Sequence, residues 1–263
     1  MINLFNKTLS ELEKAFNVLE SQIDKPQFVK RGSRDVFRYE NPTIKAAIIQ
    51  KLARVISGLH ASLVLLQAGF VQELGAILRT LDEFNEDIIF LCQSLSDGKL
   101  TDLHKKYLDS FYQEEFNEPD NPFLSEQNRP TIPRRKIHAA ISNIPGFNLN
   151  PSDHKELLRT LSQAYSGYVH GASVHIMDMY GGNPPHYHIT GMLGTPRIAE
   201  FTRITWDYFY RGLLYVMLVA HSFGQDELLK KLFAVRDYFE KQSGQSKWES
   251  PEKLINKMKK KKT

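Results

Sequence analysis

Cysteine is nearly absent: Cys92 is the only one in 263 residues. A single thiol rules out an internal disulfide framework and any structural zinc site built on cysteines. The fold must therefore rest on its own apolar core, which a chain of this length can build. Long apolar runs are missing too. The longest unbroken one, Leu213 to Ala220, has eight residues, whereas a bilayer span needs about 18 or more. The first residues, Met1-Ile2-Asn3-Leu4-Phe5-Asn6-Lys7, hold no signal-type apolar stretch. A cytoplasmic location without a membrane span is expected. Also absent are the Gly-x4-Gly-Lys-Ser/Thr phosphate loop, Gly-x-Gly-x-x-Gly, the Gly-x-Ser-x-Gly elbow and the kinase signatures, so none of those chemistries has its motif here.

An excess of positive charge is missing from most of the chain. The net charge is +4, but seven lysines against Glu249 and Glu252 put +5 on residues 247–263, so the rest sums to −1. The basic character belongs to a Lys-rich tail, residues 242–263. Such a tail can contact nucleic acid or an acidic partner by counterion release, or simply be solvated. No aromatic residue follows Trp248, so the tail is no base-stacking platform.

Helical periodicity is what the sequence does have. Leu9, Leu12, Phe16, Leu19 and Ile23 step by three and four, a narrow seam on one helix face that suggests a helix-mediated homodimer. Residues 27–41 read as a connection. Asn41-Pro42 reads as a cap and first helical position for a long helix to residue 68, with a break at Gly69. Further helices are expected at 70–95, 99–116, 134–143, 151–179, 196–223 and 225–241. Four prolines within 117–133 mark a mobile loop, and His186 to Met192 reads as a short strand or extended loop. The expectation is an all-α single helical bundle of six to eight helices, one domain over residues 1–241.

Four places could carry chemistry. Arg79, Glu83 and Glu86 share a face of the third helix, with Asp82 and Asp87 nearby. This stripe reads as a solvated face, with a bridge to a neighbouring helix or an anion site as alternatives. His170, His175, His186 and His188 crowd into nineteen residues around Asp178. Imidazole and carboxylate groups could hold a divalent metal there, although His170 and His175, five apart, diverge around a helix. In Tyr165-Ser166-Gly167-Tyr168-Val169-His170-Gly171-Ala172-Ser173 the small residues permit a close helix contact, into which hydroxyls and an imidazole would point. Arg54 and His60 form an Arg-x5-His pair of the spacing used by metal-independent helical ribonucleases, a match that chance alone supplies about once in such a chain.

Leu78-Arg79-Thr80-Leu81-Asp82-Glu83 and Ser166-Gly167-Tyr168-Val169-His170 resemble the Leu-Arg-x-Leu-x-Glu and Ser-x-x-Val-His helices of a family of bacterial helical proteins of unknown function. The likeness extends over residues 45–220. The family is itself distantly similar to the higher-eukaryote-and-prokaryote nucleotide-binding (HEPN) helical domains, some of them ribonucleases of toxin and anti-phage systems. The chain departs from these in having Val55 after Arg54, where a polar residue is usual. The resemblance implies that Arg79, Glu83 and His170 converge between two packed helices. Three functions are then expected in turn. The first is a bacterial binding or regulatory module for RNA or an anionic ligand, in stress or defence, using Arg79, Glu83, Ser166, Tyr168 and His170. The second is a metal-independent ribonuclease with Arg79 on phosphate, His170 as acid/base and Tyr168 or Ser166 assisting. The third is a metal-dependent hydrolase using His170, His175, Asp178, His186 and His188.

Overall fold

A computed structural model describes residues 1–127, 129–144, 153, 156, 159, 160, 163 and 165–245. The Lys-rich tail from 246 onward and most of 145–164 lie outside the described residues. Among those described, nine helices and two small hairpins form an all-α bundle.

The helical periodicities become buried faces. Helix α1 (Ile2–Glu20) buries Phe5, Leu9, Leu12 and Leu19 against α2 (Ile44–Ala68), and packs as well on α8 (Pro196–Ser222) and α9 (Asp226–Ser243). The seam expected to support a dimer is thus consumed inside one protomer. Helix α2 starts at Thr43, whose hydroxyl accepts from the Ala46 N–H, and not at Asn41-Pro42: the Thr side chain satisfies an otherwise orphaned N–H of the first turn. Gly69 ends it in the left-handed region (φ 82°). Helix α2 is long and apolar enough to cross a membrane by length and composition, with mean hydropathy 1.3 over its best window, half of which is buried within the protein.

Helix α3 (Val71–Ser96) lies along α2, and α8 packs on both. Small residues set these distances. A Cβ on Gly58 of α2 would stand 2.5 Å from Leu81 of α3, and one on Gly212 of α8 would stand 2.7 Å from Leu59 of α2. Aromatic rings seal the end where α1, α8 and α9 meet, with Phe5 and Phe209 at 4.4 Å and Trp206 and Phe239 at 5.5 Å between centroids. Helices α4 (Asp102–Tyr112) and α5 (Arg134–Ser142) complete the sides.

The 27–41 connection contains a hairpin. Strands β1 (Gln27–Arg31) and β2 (Arg34–Arg38) are antiparallel, with Phe28 opposite Phe37 and Val29 opposite Val36. The turn is Gly32-Ser33, with Gly32 at φ 58°, and Gly-Ser between two short runs containing Phe and Val is a recognised two-residue hairpin signal. Arg38 makes two hydrogen bonds to Glu114 (2.6 and 2.9 Å). Ser33 donates through N–H and hydroxyl to Asp120 (3.0 and 2.6 Å). Among its described residues the proline-rich segment 117–133 is helical only in a 3-10 turn at Pro122–Leu124, and Asp120 anchors it to the hairpin.

Candidate functional site

The helix expected to run from 151 to 179 is interrupted. Helix α6 (Ser166–His170) ends where Gly171 takes φ 64°, α7 (Ser173–Ile176) follows, and a 3-10 turn spans Met177–Met179. The left-handed step at Gly171, which costs glycine little, turns the chain back on itself. His175 lands so close over Gly167 that a Cβ there would be 2.1 Å from the imidazole. Tyr168 fits between α3 and α8. Its ring lies on Gly75, 6.0 Å from the Phe201 ring and 4.5 Å from that of His175. The Tyr168 hydroxyl donates to Asp178 Oδ2 at 3.3 Å, and the Gln72 amide donates to the His175 carbonyl at 2.6 Å.

Beyond Tyr168 a cleft of about 620 Å³ opens between the 3-10 turn, the hairpin β3–β4 (Tyr180–Gly181 and His186–Tyr187), the loop at Met192–Thr195 and the first turn of α8. Arg197 stands on its wall and donates to Asp178 and, at 2.7 Å, to Glu200. His188, Tyr180, Met177 and Leu193 line the rest together with Gly181, Gly182 and Gly194. The cleft is fixed to the body where Met192 N–H donates to the Gly69 carbonyl at 2.8 Å. Burial and the Asp178 charge together push the Tyr168 phenol up to about 12. The hydrogen bond to Glu200 is the first of the effects that hold the Arg197 guanidinium above its usual value.

The site residues named from sequence are only partly brought together. Arg79 pairs with Glu83 at 2.8 Å along α3. His170 is exposed, and among the described residues no hydrogen bond or ion pair joins it to Arg79 or Glu83. Helices α3 and α6, which carry these residues, do pack against each other. Ser166 is half-buried at the start of α6. Tyr168 is the member of that set that reaches the cleft, through Asp178.

Of the metal set His170, His175, Asp178, His186 and His188, the His186 and His188 rings lie 4.4 Å apart, but no three His, Cys, Asp or Glu groups among the described residues could hold a metal ion. Asp178 is engaged by Tyr168 and Arg197, and His186 Nδ1 faces the Pro184 carbonyl at 2.9 Å. The Arg54–His60 pair also separates. His60 meets Glu13 at 2.7 Å, while Arg54 lies over the Phe84 ring.

The solvated-stripe reading of α3 is corrected as well. Asp82, Glu86 and Asp87 are buried and bridge to three neighbouring helices. Asp82 accepts from Arg211 and from the Tyr208 hydroxyl of α8, both at 2.8 Å. Asp87 meets Lys51 of α2 at 2.9 Å. Arg134 of α5 spans Asp87 and Glu86, and His138 contacts Glu86 at 2.9 Å. Burial pushes the Asp82 carboxyl above its usual range, opposed by the Arg211 charge and the Tyr208 hydroxyl. The cluster is an internal brace that joins α2, α3, α5 and α8. A signal for it existed: Asp82 and Glu86 fall on the face of Leu78 and Leu81, and Arg134 and His138 are one turn apart beside the apolar Ile137 and Ile141.

Compared with protein-family models, with curated proteins and with solved structures, the chain matches none.

Proposed function

We propose that the protein is a binding module that takes a small amine-bearing molecule in the cleft beside Asp178, Arg197 and Glu200. The observation that carries this reading is the cleft's charge pattern. Among the described residues that line it, two carboxylates face one guanidinium, and that guanidinium is already held by both. One negative charge is left over in a partly apolar recess, a setting that favours a cationic head group and disfavours a phosphate. Met177, Tyr180 and Leu193 supply apolar wall for the ligand's body, and the glycines let it approach backbone.

Thermal unfolding of the full chain with spermidine, arginine amide, AMP or inorganic phosphate tests this. The amines should raise Tm, and Glu200→Gln should abolish the rise. A rise with AMP or phosphate alone would overturn the reading. In parallel, end-labelled RNA is incubated with and without EDTA. Cleavage that survives the chelator and is lost in His170→Ala would establish a ribonuclease instead.

A further inference from the structure

Large apolar side chains left exposed by the fold concentrate in one region. Of nineteen among the described residues, eight lie between Val169 and Leu193. Val169, Val174, Ile189 and Leu193 are the most open, at 51–76%. The region is also stripped of charge. From Ser166 to Thr195 the only Asp, Glu, Lys or Arg is Asp178, where a chain that is 24% charged would place about seven. Four of the eight are in direct succession. The Tyr180 and Tyr187 rings are 4.8 Å apart, the Tyr187 hydroxyl meets the Met177 sulfur at 3.3 Å, and Met177, Tyr180 and Leu193 share a cleft wall.

We infer that this surface, the outer face of α6, α7 and the β3–β4 hairpin, joins two copies of the chain in an isologous dimer. Area supports that occupant: eight side chains of roughly 160–250 Å² each, exposed to these extents, offer on the order of 800 Å². That is what one partner gives to a stable interface. Charge supports it too. A nucleic acid or an anionic lipid surface would be met by Lys and Arg, and the Lys-rich tail by carboxylates, whereas this surface offers one carboxylate that Arg197 already holds. A neutral apolar patch meets its own copy without like-charge repulsion at the contact itself. Met177, Tyr180 and Leu193 also line the cleft, but the other five of the eight do not.

Sedimentation velocity of the full chain from about 1 to 100 µM reads the outcome. The unmodified chain should be a dimer, and Val174→Glu with Ile189→Glu, both outside the cleft lining, should weaken association roughly a hundred-fold or more by burying charge at the interface. Far-UV circular dichroism should be unchanged, because both side chains are already in solvent. Phe28→Glu, on the exposed face of the β1–β2 hairpin, should leave the dimer intact. A monomer throughout the range would overturn the inference. So would a dimer that survives the double substitution or dissociates with Phe28→Glu.

Discussion

The Tyr168 ring lies directly on Gly75: a Cβ on residue 75 would stand 2.7–3.0 Å from three of its ring carbons. This contact locks α6 onto α3 and sets where the Tyr168 hydroxyl meets Asp178. Replacing a helical glycine by alanine ordinarily gains up to about 1 kcal/mol. Here a rigid ring boxed in by His175 and Phe201 cannot yield by a side-chain rotation. Gly75→Ala should therefore destabilise the protein by about 1–2 kcal/mol, the usual range for overpacking. In a Tyr168→Ala background the same substitution should be neutral or stabilising, and urea denaturation of the four proteins in the cycle measures the coupling. Equal effects in both backgrounds would show that the ring is not what resists.

The buried and exposed ion pairs should differ sharply. Arg211→Met strands Asp82 in the core with only the Tyr208 hydroxyl, and removal of one partner of a buried pair costs about 3–5 kcal/mol. Arg38→Ala, which breaks an exposed two-bond contact with Glu114, should cost no more than about 1 kcal/mol. Converting Asp82, Tyr208 and Arg211 together to Leu, Phe and Met should recover most of the first loss. Chemical denaturation of each variant decides it, and similar costs for the two single changes would contradict the assignment of Asp82 as buried.

What could be read from sequence follows the range of the interactions involved. The faces of α1, α2, α3, α8 and α9 are local patterns, legible because Leu9, Leu12 and Leu19, or Leu74, Leu78 and Leu81, repeat with the helix. The Gly69 break is equally local. The β1–β2 hairpin has a local signal at Gly32-Ser33, but a two-stranded unit carries little weight beside strong helical periodicity. Burial of Asp82, Glu86 and Asp87 is only partly legible: their place beside Leu78 and Leu81 hints at it, but the pairing depends on Lys51, Arg134 and Arg211 arriving from three other helices. For the site, the sequence marks Tyr168 and Asp178, but as members of different sets. Their link is made by the turn at Gly171 and by Arg197, nineteen residues beyond Asp178, and neither the turn nor the pairing has a periodic signature.

Cys92 should be chemically silent in the native state. It is buried on α3, and burial pushes its thiol up to about 12, so almost none is thiolate at neutral pH. Alkylation by iodoacetamide, followed by mass spectrometry, should run on the order of a thousand-fold slower in the folded protein than in urea, from thiolate population alone. Native labelling within ten-fold of the unfolded rate would mean that the α3–α8 contact opens readily.

His104 should make the fold acid-sensitive. It is buried, stacked at 4.1 Å on Phe90, and held at both ring nitrogens. Nε2 faces the Phe90 carbonyl at 2.9 Å and so must donate. Nδ1 then accepts from Thr101, whose hydroxyl lies 2.7 Å away and whose own oxygen caps α4. A proton on Nδ1 would remove that acceptor. Burial holds the imidazole below its ordinary value, and the Phe90 carbonyl only partly opposes this. With the folded value lowered, the unfolded chain binds the proton more readily. The contribution is therefore complete above the unfolded value of about 6.5 and is lost as pH falls from there through the folded value. His104→Gln should cost about 1–2 kcal/mol at pH 8, from the weakened cap and the lost stacking. Its stability should then decline less than that of the unmodified protein between pH 7 and pH 5, so that the two curves converge. Parallel curves in urea titrations across that interval would show that His104 is protonated without cost in the fold.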